Sequence, residues 1–169
     1  TAADAGVHTF SISLMTAGSQ SVSVTDYANP SVTVNQSGIV VTAAAAASIS
    51  VTALHGTTAG VAQTFTVTAR DAYGNVATGY TGTLVFSSSD TQAALPATYT
   101  FTAADAGVHT FSMAFKTSGG QSLTVQDSAN VANPAFTYFQ RDILINAATM
   151  TGFAFRAPTN VTAGVAFNI

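Results

Sequence analysis

The chain has 169 residues, 47% of them hydrophobic and only 7% charged, with a net charge of −3. A chain this apolar and this weakly charged is not disordered by self-repulsion, and its four basic residues cannot neutralise a nucleic-acid backbone. With no Cys there is no disulfide and no Cys-based metal centre.

Along the chain, residues 1–10, TAADAGVHTF, recur unchanged as residues 102–111, a period of 101. A second echo is spaced by 104: Ala28-Asn29-Pro30 returns as Ala132-Asn133-Pro134, and the TAGVA of 58–62 returns at 162–166. The chain therefore reads as a tandem array of one unit. Residues 1–43 are expected to carry the last three strands of one copy, 44–148 a complete copy, and 149–169 the first strand of the next. Arrays of this kind are structural or adhesive.

The fine periodicity is two. In the first copy His8, Phe10, Ile12 and Leu14 alternate with polar or small residues, then Val22 and Val24 do so. Residues 39–54 are the most apolar run, but Thr42, Ser48, Ser50 and Thr52 make it too polar and too short to span a bilayer. No basic-then-apolar start marks a signal peptide. The connection over 43–47 carries no Gly or Pro and should hold successive copies in a fixed relation.

The complete copy predicts strands near 49–54, 64–71, 83–88, 98–102, 108–116, 121–127 and 136–146. Phe65, Val67 and Ala69 alternate with Thr64, Thr66 and Thr68, and Phe111, Met113 and Phe115 follow the same rule. The expected core is Ile49, Val51, Phe65, Val67, Leu84, Phe86, Tyr99, Phe101, Phe111, Met113, Phe115, Leu123 and Val125. Seven short strands with turn signals about every ten residues predict an all-β, Greek-key immunoglobulin-like (Ig-like) sandwich.

Residues 65–90, FTVTARDAYGNVATGYTGTLVFSSSD, resemble a strand–turn–strand hairpin of bacterial Ig-like repeats, with its D-x-x-G-N turn at Asp71-Ala72-Tyr73-Gly74-Asn75. Residues 98–111, TYTFTAADAGVHTF, resemble the next hairpin of the same repeats. The resemblance covers nearly all of 48–146. It implies a tandem module of a large secreted or cell-surface bacterial protein of the invasin- and intimin-like adhesin type. It implies no catalytic residue, and the chain is not expected to be an enzyme.

No catalytic constellation is evident. A G-x-S-x-G elbow and a phosphate-binding glycine loop are missing. His8 and His109, repeat equivalents, are read as closing one end of a core rather than binding metal, and His55 as a surface residue. Asp71, Asp105 and Asp127 fall on turns at one end of the unit, with Asn75, Asn130 and Asn133 nearby. A calcium ion bridging two copies could sit there; the alternative is that each Asp serves its own turn. The sequons Asn35-Gln36-Ser37 and Asn160-Val161-Thr162 are not repeat equivalents. Tyr138, Phe139 and Arg141 replace Val34, Asn35 and Ser37, and that patch is where an adhesin would place a receptor or glycan site. The expected partners are other copies of the same unit, end to end, in a stalk, fibre or filament. Alternatives are a ligand-binding adhesin and a non-catalytic module of a secreted enzyme.

Overall fold

A computed structural model describes residues 4–152, 158–166 and 168. Its described residues form ten strands: β1 (Gly18–Thr25), β2 (Thr33–Val41), β3 (Ser48–Val51), β4 (Thr57–Thr58), β5 (Gln63–Arg70), β6 (Thr83–Ser88), β7 (Tyr99–Thr100), β8 (Val108–Met113), β9 (Gly119–Asp127) and β10 (Thr137–Asn146). Helical structure is limited to short 3₁₀ turns such as Ala103–Asp105 and Pro134–Phe136. The protein is all-β with several sheets. β1 and β2 pair alone, β3-β5-β8 form a three-stranded sheet, and β4-β10-β9-β6-β7 form a five-stranded one.

The period of two decides which face is covered. In β5, Phe65, Val67 and Ala69 are buried while Thr64, Thr66 and Thr68 are not. In β9 every second residue from Gln121 to Asp127 is buried. The inward faces of the larger two sheets supply one apolar cluster. All thirteen expected core residues belong to it, ten buried and Val51, Phe86 and Tyr99 partly so. Leu54, Ala77, Tyr80, Phe136, Ile143 and Ile145 join them. The outward rows hold threonine pairs across strands, Thr66 Oγ1 to Thr110 Oγ1 and Thr83 Oγ1 to Thr100 Oγ1, both at 2.8 Å.

Three expectations need correction. Residues 65–90 are not a hairpin: β5 pairs with β3 and β8, and β6 with β7 and β9. Residues 98–111 are not one either, because β7 joins β6 across Leu84 and Tyr99 while β8 joins β5. The chain crosses between sheets at both places, so that Phe65, Leu84, Phe101 and Phe111 meet from opposite sides in one cluster. Between the expected strands at 49–54 and 64–71 lies an extra two-residue strand, β4, parallel to the end of β10.

The third correction concerns the first copy. Residues 7–14 were expected as a strand but form none. In the complete copy the equivalent β8 pairs, among the described residues, with β5, register Phe65 to Phe111. No strand among the described residues stands in that place for 7–14, and an isolated strand has no ladder to join. Phe10 and Ile12 are therefore 77% and 63% exposed. The expected first strand of the third copy, with Phe153 and Phe155, falls on 153–157, outside the described residues.

Where pairing partners are present, the two copies agree. β1–β2 and β9–β10 are antiparallel pairs that each slip register once. The slip falls at Gly38 (φ 72°) in one and at its repeat equivalent Asp142 (φ 58°) in the other. A left-handed residue in the strand is what such a bulge requires. In β10 it turns Ile143 and Ile145 into the core.

Candidate functional site

The loops between β5 and β6, before β8, and after β9 gather at one end of the unit, where 43–46 cross. Ala69 N–H, near the end of β5, donates to the Gly107 carbonyl at 2.9 Å, joining β5 to the loop before β8. Ala77, Tyr80, Asp127 and Asn130 line an open groove of about 530 Å³ together with 43–46. The structure thus brings Asp71, Asp105 and Asp127 to the same end, each in a network of its own.

Asp71 opens the loop after β5. Its Oδ1 accepts the Tyr73 and Asn75 N–H groups, both at 2.9 Å. Gly74 supplies the positive φ, 86°, that the turn needs. Asp71 Oδ2 accepts the Ala44 N–H at 3.0 Å, tying the connection to the turn, and Asn75 Nδ2 at 2.9 Å. The Asn75 amide does more. Its Oδ1 accepts the Ala17 N–H at 2.9 Å, and its Nδ2 donates to the Met15 carbonyl at 2.7 Å. The Asn75 side chain first, then the Ala44, Asn75 and Tyr73 N–H groups, hold the Asp71 carboxyl below its ordinary range against the effect of burial.

Asp105 ends the 3₁₀ turn Ala103–Asp105 and caps it back. Its Oδ2 accepts the Thr102 N–H at 2.7 Å and the Thr102 hydroxyl at 2.9 Å. Its Oδ1 faces His109 Nδ1 at 2.7 Å and the Tyr99 hydroxyl at 2.9 Å. The Thr102 N–H above all, then His109, hold this carboxyl well below the usual range. His109 lies on the core side of β8, its ring 4.0 Å from that of Tyr99 and 4.7 Å from that of Phe111. It closes the end of the core. His8 repeats the Asp contact, to Asp4 at 3.3 Å, on the exposed first copy.

Asp127 is 1% exposed at the end of β9. Burial alone would raise its pKa. The Tyr80 hydroxyl, at 2.7 Å, and then Asn130 and the Ala129 N–H overcome this and lower it. Burial, with the Asp127 contact, pushes the Tyr80 hydroxyl up in turn. Gly82 leaves room for the pair: a Cβ there would lie 2.2 Å from the Tyr80 hydroxyl.

A calcium ion bridging two copies would need these carboxylates to converge with free oxygens. Every one of their six oxygens instead accepts an N–H or O–H donor, or faces the His109 ring, within its own surroundings. Among the described residues no group of three or more His, Cys, Asp or Glu could hold a metal ion. Millimolar calcium is accordingly expected to leave the thermal unfolding midpoint in place. A rise that chelator reverses would put an ion at this end after all.

Sequence reading overlooked Asp90. It is 4% exposed and fastens the loop after β6 to the turn between β8 and β9. Its carboxylate accepts the Lys116 and Thr117 N–H groups at 2.6 and 2.9 Å and the Thr117 hydroxyl at 2.7 Å. Its partners lie 26 and 27 positions on, so no local spacing announces it. Burial works against ionisation, but Thr117, Lys116 and Gln92 outweigh it and bring the pKa to about 2, from an ordinary 3.8. A folded-state pKa below the unfolded one means that the ionised form stabilises the fold above about pH 4, and that this contribution drains away as the pH falls toward 2. Asp71, Asp105 and Asp127 shift in the same sense. The unfolding midpoint should be flat above pH 5 and drop steeply between about pH 4 and 2, with Asp90→Asn lower at neutral pH and less acid-sensitive. A midpoint indifferent to acid would contradict these networks.

The adhesin patch is only partly assembled. Phe139 is 52% exposed, with the Arg141 guanidinium 5.3 Å from its ring centre. Tyr138 instead packs against the core, its hydroxyl donating to Gln140 Oε1 at 3.0 Å. Gln140 itself clamps Leu54, accepting its N–H at 2.9 Å and donating to its carbonyl at 2.7 Å. No helix among the described residues is long and apolar enough to cross a membrane.

No family model matches the sequence, and no curated protein matches it. Two solved structures are similar to it. One is that of domains 1–6 of the surface layer protein SbsC, 20% identical, with a TM-score of 0.43 over 78% of this chain. The other is the S-layer protein rSbsC(31-844), 19% identical, with a TM-score of 0.42 over 82% of this chain. The chain spans 17% and 18% of the lengths of those two proteins.

Proposed function

We propose that this chain is a structural repeat module of a large extracellular bacterial protein, in which Ig-like Greek-key sandwiches follow one another in a stalk, fibre or filament. Residues 44–148 are one repeat, 1–43 belong to the repeat before it, and 149–169 to the one after. The observation that carries this reading is the decapeptide found twice. Both copies adopt the same turn, with Ala5 and Ala106 at φ 48° and 47° and Gly6 and Gly107 at φ 81° and 80°. Both are followed by an antiparallel strand pair with its bulge at the same repeat position. These matches support a single unit in series on one polypeptide, with a core that draws on two sheets.

The test is length. Chains with one, two and three copies of the unit in series should grow in maximum dimension, by small-angle scattering or negative-stain imaging, by a constant increment. That increment should be about 30–40 Å, the span of strands such as β9 and β10 with their turns. A dimension that fails to grow with copy number overturns the reading. An adhesive role is the second reading, favoured by the exposed Phe139–Arg141 pair. It requires that a glycan or receptor array lose binding when Phe139→Ser is introduced.

A further inference from the structure

We propose that the turn at 116–118 is the docking surface for the Asp-x-x-Gly-Asn turn of a further copy of the repeat, and that Asn75 is the residue by which each copy is fixed to the copy before it. The proposal rests on the repeat reading above and adds to it the interface that joins two copies.

Asn75 reads backbone. A primary amide presents one acceptor and one donor side by side, the complement of a carbonyl and an N–H two residues apart. Asn75 finds that pair at the Met15 carbonyl and the Ala17 N–H, 58 to 60 residues back in the chain. Both groups belong to the first copy, and neither bond depends on the identity of the side chain at 15 or 17. Asp71 positions the amide from behind through its Oδ2, which also holds the Ala44 N–H of the connection. The turn therefore grips both what precedes the unit in space and what leads into it in sequence.

The complete copy presents the same surface. Residues 15–17 and 116–118 are repeat equivalents, and their turns share a backbone. Gly18 and Gly119 stand at φ 113° and 109°. Gln20 Nε2 donates to the Thr16 carbonyl and Gln121 Nε2 to the Thr117 carbonyl, both at 3.2 Å. Within the unit, Asp90 takes the N–H groups of Lys116 and Thr117. The groups equivalent to those Asn75 holds are the Lys116 carbonyl and the Ser118 N–H, and neither has a partner among the described residues. Residues 116–118 are exposed. Asp90 and a docking Asn thus use different atoms of one turn. The occupant that fits is the one already seen on the first copy: an Asp-x-x-Gly-Asn turn of the same unit.

Amide hydrogen exchange tests this. In the 169-residue chain the Ala17 N–H should exchange slowly and the Ser118 N–H fast. Asn75→Ala should speed Ala17 at least tenfold while amides of β5 and β9 keep their protection. Asn75→Asp, which keeps the shape but turns an oxygen toward the Met15 carbonyl and the Asp71 carboxylate, should do the same. In a longer chain with residues 43–146 repeated once between Asn146 and Ala147, Ser118 of the first copy should slow at least tenfold, and Ala at position 75 of the second copy should undo this. If Ser118 exchanges equally fast with and without a following copy whose core amides are protected, the docking surface is wrong and the repeat reading stands. If the added copy shows no protected core, the repeat reading itself falls.

Discussion

Replacing Phe111 by Ala is expected to lower the unfolding free energy by about 3–5 kcal/mol. Phe10→Ala, in the identical decapeptide, should change it by less than about 0.5 kcal/mol. Phe111 is 6% exposed and sits among the rings of Phe65, Phe86, Tyr99 and His109, at centroid distances of 5.5, 4.8, 5.4 and 4.7 Å. Truncation removes a buried ring and leaves a cavity that two sheets would have to close. Phe10 is 77% exposed, its ring 4.6 Å from that of His8. Urea unfolding followed by tyrosine fluorescence gives both values, since Tyr80 and Tyr99 report on the core and the chain has no Trp. Equal losses would mean that the first copy is packed in solution as tightly as the second.

Gly107→Ala should cost about 2–5 kcal/mol, and Gly6→Ala at most about 1 kcal/mol. Both glycines have φ near 80°, so an L side chain at either is strained. At Gly107 a Cβ would also lie 2.5 Å from the Ala77 carbonyl oxygen, a backbone atom that cannot swing aside. The loop after β5 would have to retreat to make room. At Gly6 nothing lies within 4 Å. A similar cost at both positions would mean that the left-handed conformation alone matters and the close approach does not.

These pairs also separate what the sequence announces from what it conceals. The decapeptide's turn is local: Asp105 bonds Thr102 and His109 within four residues, and Asp4 and His8 do likewise. The alternation of Phe65, Val67 and Ala69 is equally local, and it identified the buried face. Strand formation is not local. The same five letters, VHTFS, lie in a strand at 108–112 and in none at 7–11, because only the former has β5 beside it. Tyr80, Ala77 and Leu54 entered the core from outside any strand, where no period marks them. Among the site residues, the Asp71 turn was readable from its Gly and Asn, while its hold on 15–17 spans some sixty positions and left no trace in spacing.

Asn75 holds residues 15 and 17 through an uncharged amide on backbone groups, at 2.7 and 2.9 Å. Coulombic contacts between exposed side chains fade once dissolved ions shorten the screening length to about 10 Å or less, and a calcium hinge slackens wherever calcium is scarce. A neutral amide clamp answers to neither. Such a joint should hold equally in dilute fresh water and in brine.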